Sequence, residues 1–143
     1  MTWDPTAHGV MVLPSGRLLR GRGLRDPLPE DPLPELGIYL LDRRPDPVAW
    51  EAKWVAWPDF RLPKDGASAA RILTAAWDRS SAERVEVACH AGQGRTGTAL
   101  ACLAILDGVP PDDADDYVRR HYSRHAVETR GQHRFVSQFR TVD

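Results

Sequence analysis

The sequence predicts an α/β fold, a central mixed sheet flanked by helices, and three observations carry that expectation. Short apolar runs of strand length alternate along the chain with segments whose apolar residues recur at helical spacing. Turn-forming clusters such as Pro14-Ser15-Gly16 and Pro63-Lys64-Asp65-Gly66 separate them. The 143 residues, 42% hydrophobic and 27% charged, suit one domain over residues 1–143 with a core large enough to support itself.

Val10 to Leu13 and Arg17 to Arg20, on either side of Pro14-Ser15-Gly16, predict two short strands joined by a turn. Gly21 to Pro34 then holds two glycines and four prolines, a composition that disfavours helix and central strand and predicts an ordered surface loop. Leu36 to Leu41 and Lys53 to Trp57 are apolar runs closed by Asp42-Arg43-Arg44-Pro45 and by Pro58-Asp59, as strands with buried faces are. From Ala69 through Ile72, Leu73, Ala76 and Trp77 the period becomes that of an amphipathic helix. Arg84 to Cys89 returns to alternation, meets Gly92, Gly94 and Gly97, and hands over to Ala99 to Leu106, a buried helix. Gly108-Val109-Pro110-Pro111 stops it. Four aspartates from Asp112 to Asp116 open the next helix and Arg119 and Arg120 close it, complementing the dipole at both ends. Thr129 and Gln132 stand at capping-box spacing ahead of Phe135, Val136 and Phe139, which predicts a last helix.

Nineteen basic residues against 20 acidic ones give a formal charge of -1, too balanced for a protein built to hold nucleic acid or an anionic membrane. Ala99 to Leu106 falls far short of the roughly 20 residues that cross a bilayer, and Met1 to Val10 lacks the basic-then-apolar pattern of a signal peptide. With Cys89 and Cys102 the only cysteines, there is no disulfide framework. A reducing, cytoplasmic setting and a monomeric chain are the expectations.

The chemistry concentrates in Cys89-His90-Ala91-Gly92-Gln93-Gly94-Arg95-Thr96-Gly97, where a strand passes into a helix. Glycines allow consecutive backbone N–H groups to turn inward as an anion-binding nest, and the helix that follows adds the positive end of its dipole. That field favours the thiolate form of a cysteine at its centre. Arg95 adds a planar fork able to hold two oxygens of a tetrahedral dianion at once. Nucleophile and clamp therefore share one loop, with His90, Ala91, Gly92, Gln93, Gly94 and Arg95 as the phosphate-binding residues.

This stretch resembles the signature loop of the protein tyrosine and dual-specificity phosphatase superfamily. Trp57-Pro58-Asp59 is similar to that family's mobile acid loop and lies upstream of the signature, as in the family. Ala126 to Gln132 is similar to the stretch in which several members place a water-positioning glutamine, here Gln132. The three motifs span just over half the chain, and residues 1–50 carry no family hallmark. The resemblance implies the compact cysteine-phosphatase fold and a two-step reaction without metal or other cofactor. Cys89 attacks phosphorus, Asp59 protonates the departing oxygen and then activates water, Arg95 and the loop amides hold the equatorial oxygens, and Thr96 hydrogen-bonds the sulfur as it leaves. One position departs from the pattern: Ala88 stands before the nucleophile where histidine is common.

Other features have plainer readings. Cys102 lies about 10 Å past Arg95 along the helix and reads as a packing residue. Gly92-x-Gly94-x-x-Gly97 satisfies a dinucleotide fingerprint, but an Asp-rich helix start follows instead of a strand. Trp50, Trp54, Trp57 and Trp77 read as packing residues, Trp57 also as the hinge of the acid loop. The resemblance places His90 at the rim of the loop, either as a plain solvated residue or as a group that would favour a substrate carrying a second anionic group. Arg17, Arg20, Arg22 and Arg25 read as a solvated basic cluster.

The function expected is hydrolysis of phosphate monoesters, protein phosphotyrosine first, with a phosphorylated protein or a small phosphate ester as partner. A phosphate-recognition module without turnover is the alternative from a different class. Phosphoserine, phosphothreonine, phosphoinositide and small-metabolite substrates stay open.

Overall fold

The computed structural model describes residues 1–30 and 32–140. Five strands form one mixed sheet: β1 (Val10–Val12), β2 (Leu18–Gly23), β3 (Leu36–Leu41), β4 (Glu51–Ala56) and β5 (Val85–Cys89), in the order β1-β2-β5-β3-β4. β1 runs antiparallel to β2, and every other neighbouring pair is parallel. Four helices accompany the sheet: α1 (Gly66–Arg79), α2 (Gly94–Leu106), α3 (Ala114–His121) and α4 (Arg130–Gln138). A short 3-10 turn over Pro111–Asp113 precedes α3, so the aspartate-rich start is divided between two elements. Among the described residues no helix is long and apolar enough to cross a membrane.

β5 lies in the middle because every one of its residues is buried. Alternation separates the two faces of the sheet. Leu19, Val85, Val87, Leu36, Ile38 and Leu40 turn to one face and join α1 and α2 in a single apolar core. Helix α2 is buried from Gly94 to Ala104, with Cys102 inside. Burial pushes the Cys102 thiol well above its ordinary range, and Cys89 and Cys102 are both free. Leu100 and Leu103 are fully enclosed, each contributing on the order of 2 kcal/mol through buried apolar area. Helix α1 starts at the Asp65 N-cap, whose carboxylate accepts the Ser68 N–H.

The opposite face is polar, and here two expectations are corrected. Gly21, Arg22 and Gly23 belong to strand β2, paired in parallel with Val87, Ala88 and Cys89 of β5, and not to a surface loop. The loop itself begins beyond them; its Asp31 lies outside the described residues. Arg20 and Arg22 are not a solvated cluster either. Arg20 is buried, and both guanidinium groups bind the buried carboxylate of Glu86, which also accepts the Tyr39 hydroxyl. The charges at Arg20 and Arg22 are tolerated on the sheet because Glu86, directly opposite Arg20 in register, meets them. Arg17 lies over the Trp77 ring and pairs with Asp107, and Trp3 and Trp50 cover the polar face by reaching Arg20 and Tyr39.

Candidate active site

The loop from Cys89 to Gly94 joins the end of β5 to the start of α2. Cys89 is buried, and its sulfur accepts the Gly92 N–H at 3.2 Å and the Thr96 hydroxyl at 3.1 Å. Gly92 adopts φ +77°, a left-handed conformation that suits glycine, and Gln93 follows with φ −115° and ψ −75°. A left-handed residue followed by a right-handed one turns successive N–H groups toward one point, which makes an anion nest. Thr96 places a donor on the same sulfur from the first turn of α2, so two independent groups stabilise negative charge there.

Arg95 lies in the first turn of α2 and is only 4% exposed. Its Nη1 donates to the Trp57 carbonyl at 3.1 Å, and its Nε stands 3.5 Å from an Asp59 carboxylate oxygen. Nε is buried and makes no hydrogen bond among the described residues. A buried cationic donor of this kind demands an acceptor, and an oxyanion supplies one. The Asp59 side chain is 58% exposed, facing water while its neighbour Arg95 is enclosed.

The loop from Trp57 to Arg61 is held by its tryptophan. Trp57 is fully buried, packs edge-on against Phe135 of α4 at 5.9 Å, and donates its indole N–H to the Arg61 carbonyl. It therefore anchors the loop, and the bend lies just beyond it. Arg61 N–H returns to the Pro58 carbonyl, and Phe60 between them has φ +60°, a conformation costing on the order of 1 kcal/mol or more for a residue with a side chain. Phe60 N–H donates to the Asp59 carboxylate, so the strained turn fixes the direction of Asp59.

Gln132 is fully buried at the start of α4. Its side-chain oxygen accepts the Glu128 and Thr129 N–H groups, completing the capping box with Thr129. Its amide nitrogen reaches the Arg61 carbonyl at 3.4 Å. The residue thus touches the loop that carries Asp59 while capping the helix. His90 is exposed and, with Tyr39, Arg43 and Arg44, lines a cavity of about 370 Å³ beside the strand end.

Sequence reasoning placed Cys89, Arg95, Thr96 and Asp59, and the structure brings these four together. It did not find the outer supports of the loop. Leu24 and Arg25 donate backbone N–H groups to the Cys89 and His90 carbonyls, and the Tyr122 hydroxyl donates to the Gly92 carbonyl. No local pattern signals such contacts; the one hint was a pair of glycines, Gly21 and Gly23, immediately before Leu24.

Residues 41–139 match the family model described as protein-tyrosine phosphatase. The solved structure of Tk-PTP in its active form is similar in fold, with a TM-score of 0.66 over 86% of this chain and 90% of that one at 22% identity. A mutant form of Tk-PTP gives 0.62 over 73% and 75% at 24% identity. Two uncharacterized proteins of Methanocaldococcus jannaschii are 45% and 43% identical over 60 residues. That stretch is 42% of this chain and only 40% and 36% of theirs.

Proposed function

The chain belongs to the protein-tyrosine phosphatase family, and on that premise we propose that it hydrolyses phosphate monoesters, with protein phosphotyrosine as the leading substrate class, through a phosphocysteine intermediate. The observation that carries the reading is the convergence on one loop of the doubly hydrogen-bonded Cys89 sulfur, the enclosed Arg95 and the adjoining Asp59. In the first step the sulfur forms a bond to phosphorus as the ester P–O bond breaks. Asp59, in its acid form, gives its proton to the departing oxygen. In the second step water forms the new P–O bond and passes a proton to Asp59, and the S–P bond breaks with its electron pair returning to sulfur. Thr96 donates to that sulfur as charge returns to it, and Arg95 with the loop amides holds the three equatorial oxygens throughout. Gln132, through its contact with the acid loop, orients the second-step water. The setting is cytoplasmic, where Cys89 and Cys102 stay reduced.

Hydrolysis of an aryl phosphate in the presence of a chelator tests this. Wild type turns over; Cys89→Ser loses turnover; Asp59→Ala loses about 10²–10⁴-fold in kcat, the range for a general acid. Activity that survives Cys89→Ser, or that the chelator abolishes, refutes the mechanism. A wild type that binds the ester without any turnover establishes the phosphate-recognition module instead.

A further inference from the structure

We propose that Tyr122, outside the signature loop and the acid loop, is a positioning residue that holds the phosphate-binding peptide Gly92–Gln93 in its anion-accepting orientation. The proposal rests on the phosphatase reading for the meaning of the loop, and on geometry for the role of the tyrosine. Three carbonyls of the loop are bound from outside: Cys89 by Leu24 N–H at 2.9 Å, His90 by Arg25 N–H at 3.0 Å and Gly92 by the Tyr122 hydroxyl at 2.7 Å. The first two ties are backbone to backbone and continue the parallel pairing of β2 with β5. The third comes from a side chain and holds the one loop residue whose φ is positive.

Gly92 is the pivot of the nest. Its N–H donates to the Cys89 sulfur while its carbonyl is held by Tyr122. The peptide is planar and trans, so fixing the carbonyl of Gly92 fixes the N–H of Gln93 pointing the opposite way. Turned over, that peptide would present a carbonyl oxygen to the thiolate and to the phosphate, where a donor is needed. Glycine offers little steric resistance to such a flip. The restraint therefore has to come from a partner. Tyr122 is suited to the task because it is itself immobilised: it caps α3 through its N–H to the Val118 carbonyl, and its ring lies so close to Gly21 that a methyl group there would come within 2.6 Å of it. Burial, with the charge of Cys89 adding to it, holds the phenol well above its ordinary range, so the hydroxyl remains a donor. Ser123 adds a second tie by donating to the Gln93 side-chain oxygen.

Tyr122→Phe keeps the ring against Gly21 and removes only the tie. Tyr117→Phe is the matched control, since the Tyr117 hydroxyl also donates to a backbone carbonyl, that of Val12 on β1. Three readouts apply to wild type and both variants: kcat and KM on an aryl phosphate, the inhibition constant of tungstate, and the pH profile of Cys89 alkylation by iodoacetate. Tyr122→Phe should weaken tungstate about tenfold, lower kcat/KM by at least as much, and move the acid limb of alkylation to higher pH, a smaller effect than the roughly 10²–10³-fold of deleting a true oxyanion donor. Tyr117→Phe should leave all three within about twofold. Tungstate affinity and alkylation profile in Tyr122→Phe equal to those of wild type, or shifted equally in Tyr117→Phe, overturn the proposal. Alkylation requires no turnover, so this outcome is read separately from failure of the phosphatase assignment.

Discussion

Replacing Glu86 with leucine is the sharpest test of how the polar face of the sheet is held. The carboxylate receives five hydrogen bonds, from Arg20 Nε at 3.2 Å and Nη2 at 2.6 Å, Arg22 Nε at 2.7 Å and Nη2 at 3.0 Å, and the Tyr39 hydroxyl at 2.7 Å. Leucine nearly fills the volume but removes the charge that Arg20, 1% exposed, was buried to meet. Breaking one side of a buried ion pair costs about 3–5 kcal/mol. Arg22 is half-buried and turns toward water more readily, which places the cost near the lower figure. At roughly 3 °C per kcal/mol for a domain of this length, Glu86→Leu should melt about 10 °C below wild type.

The same carboxylate gives the change a pH signature. Burial pushes Glu86 up, but the hydrogen bonds from Arg22, Tyr39 and Arg20 together outweigh it and hold the carboxyl below its ordinary range. A depressed folded value means that the stabilisation is present above the unfolded value, about 4.3, and is lost as pH falls through the lower folded one. Urea unfolding of wild type should therefore weaken steeply between about pH 5 and pH 3, and that of Glu86→Leu less so. A variant melting within about 2 °C of wild type with an unchanged acid limb would mean that Glu86 is not the counter-charge of Arg20.

Gln132→Glu keeps the acceptor that completes the capping box but sets a carboxylate oxygen against the Arg61 carbonyl in a fully buried position, so it should lose about 1–3 kcal/mol of stability, while loss of the amide N–H should slow the second step and give a rapid burst followed by a slower steady rate on an aryl phosphate. A burst-free trace with wild-type kcat removes Gln132 from the chemistry. Gly97→Ala and Gly94→Ala should differ in stability. At Gly97 an added methyl collides with the Ala126 Cβ and comes within 2.7 Å of its Cα, which cannot yield cheaply, for an expected loss of about 1–3 kcal/mol. At Gly94 it meets first the Glu128 carboxylate tip, an exposed side chain free to swing aside, for a loss of about 1 kcal/mol or less by urea unfolding; the reverse order would refute the packing argument.

How far the sequence reveals this site depends on the distance over which each residue finds its partner. Cys89, Arg95 and Thr96 lie within eight positions, so spacing alone brings them onto one loop, and strand β3 has the limits that its apolar run predicts. The capping box over Thr129 and Gln132 is equally local. Arg20 and Arg22 misled because their counter-charge is 64 or more residues away, and a charge pattern without a nearby partner reads as a solvated face. The glycines of β2 misled for another reason. Glycine weakens an isolated strand, yet the one at position 21 sits where the Tyr122 ring closes on the sheet and leaves no space for a methyl group.

Ala88 belongs to the same polar face, which gives its departure from the family's common histidine a physical cause. In register it lies between Arg22 of β2 and Tyr39 of β3. Residues paired in this way project from the same side of a parallel sheet, so the two long side chains flank the single methyl of Ala88 and converge on Glu86 two residues earlier. Ala88 is fully buried there. A histidine would have to displace one of those side chains and break a hydrogen bond to a buried carboxylate. The small residue and the network around Glu86 are thus one feature: support that a side chain before the nucleophile would give from within the loop's own strand is supplied here from the two neighbouring strands. The remaining restraint, on the far side of Cys89, falls to Leu24, Arg25 and Tyr122.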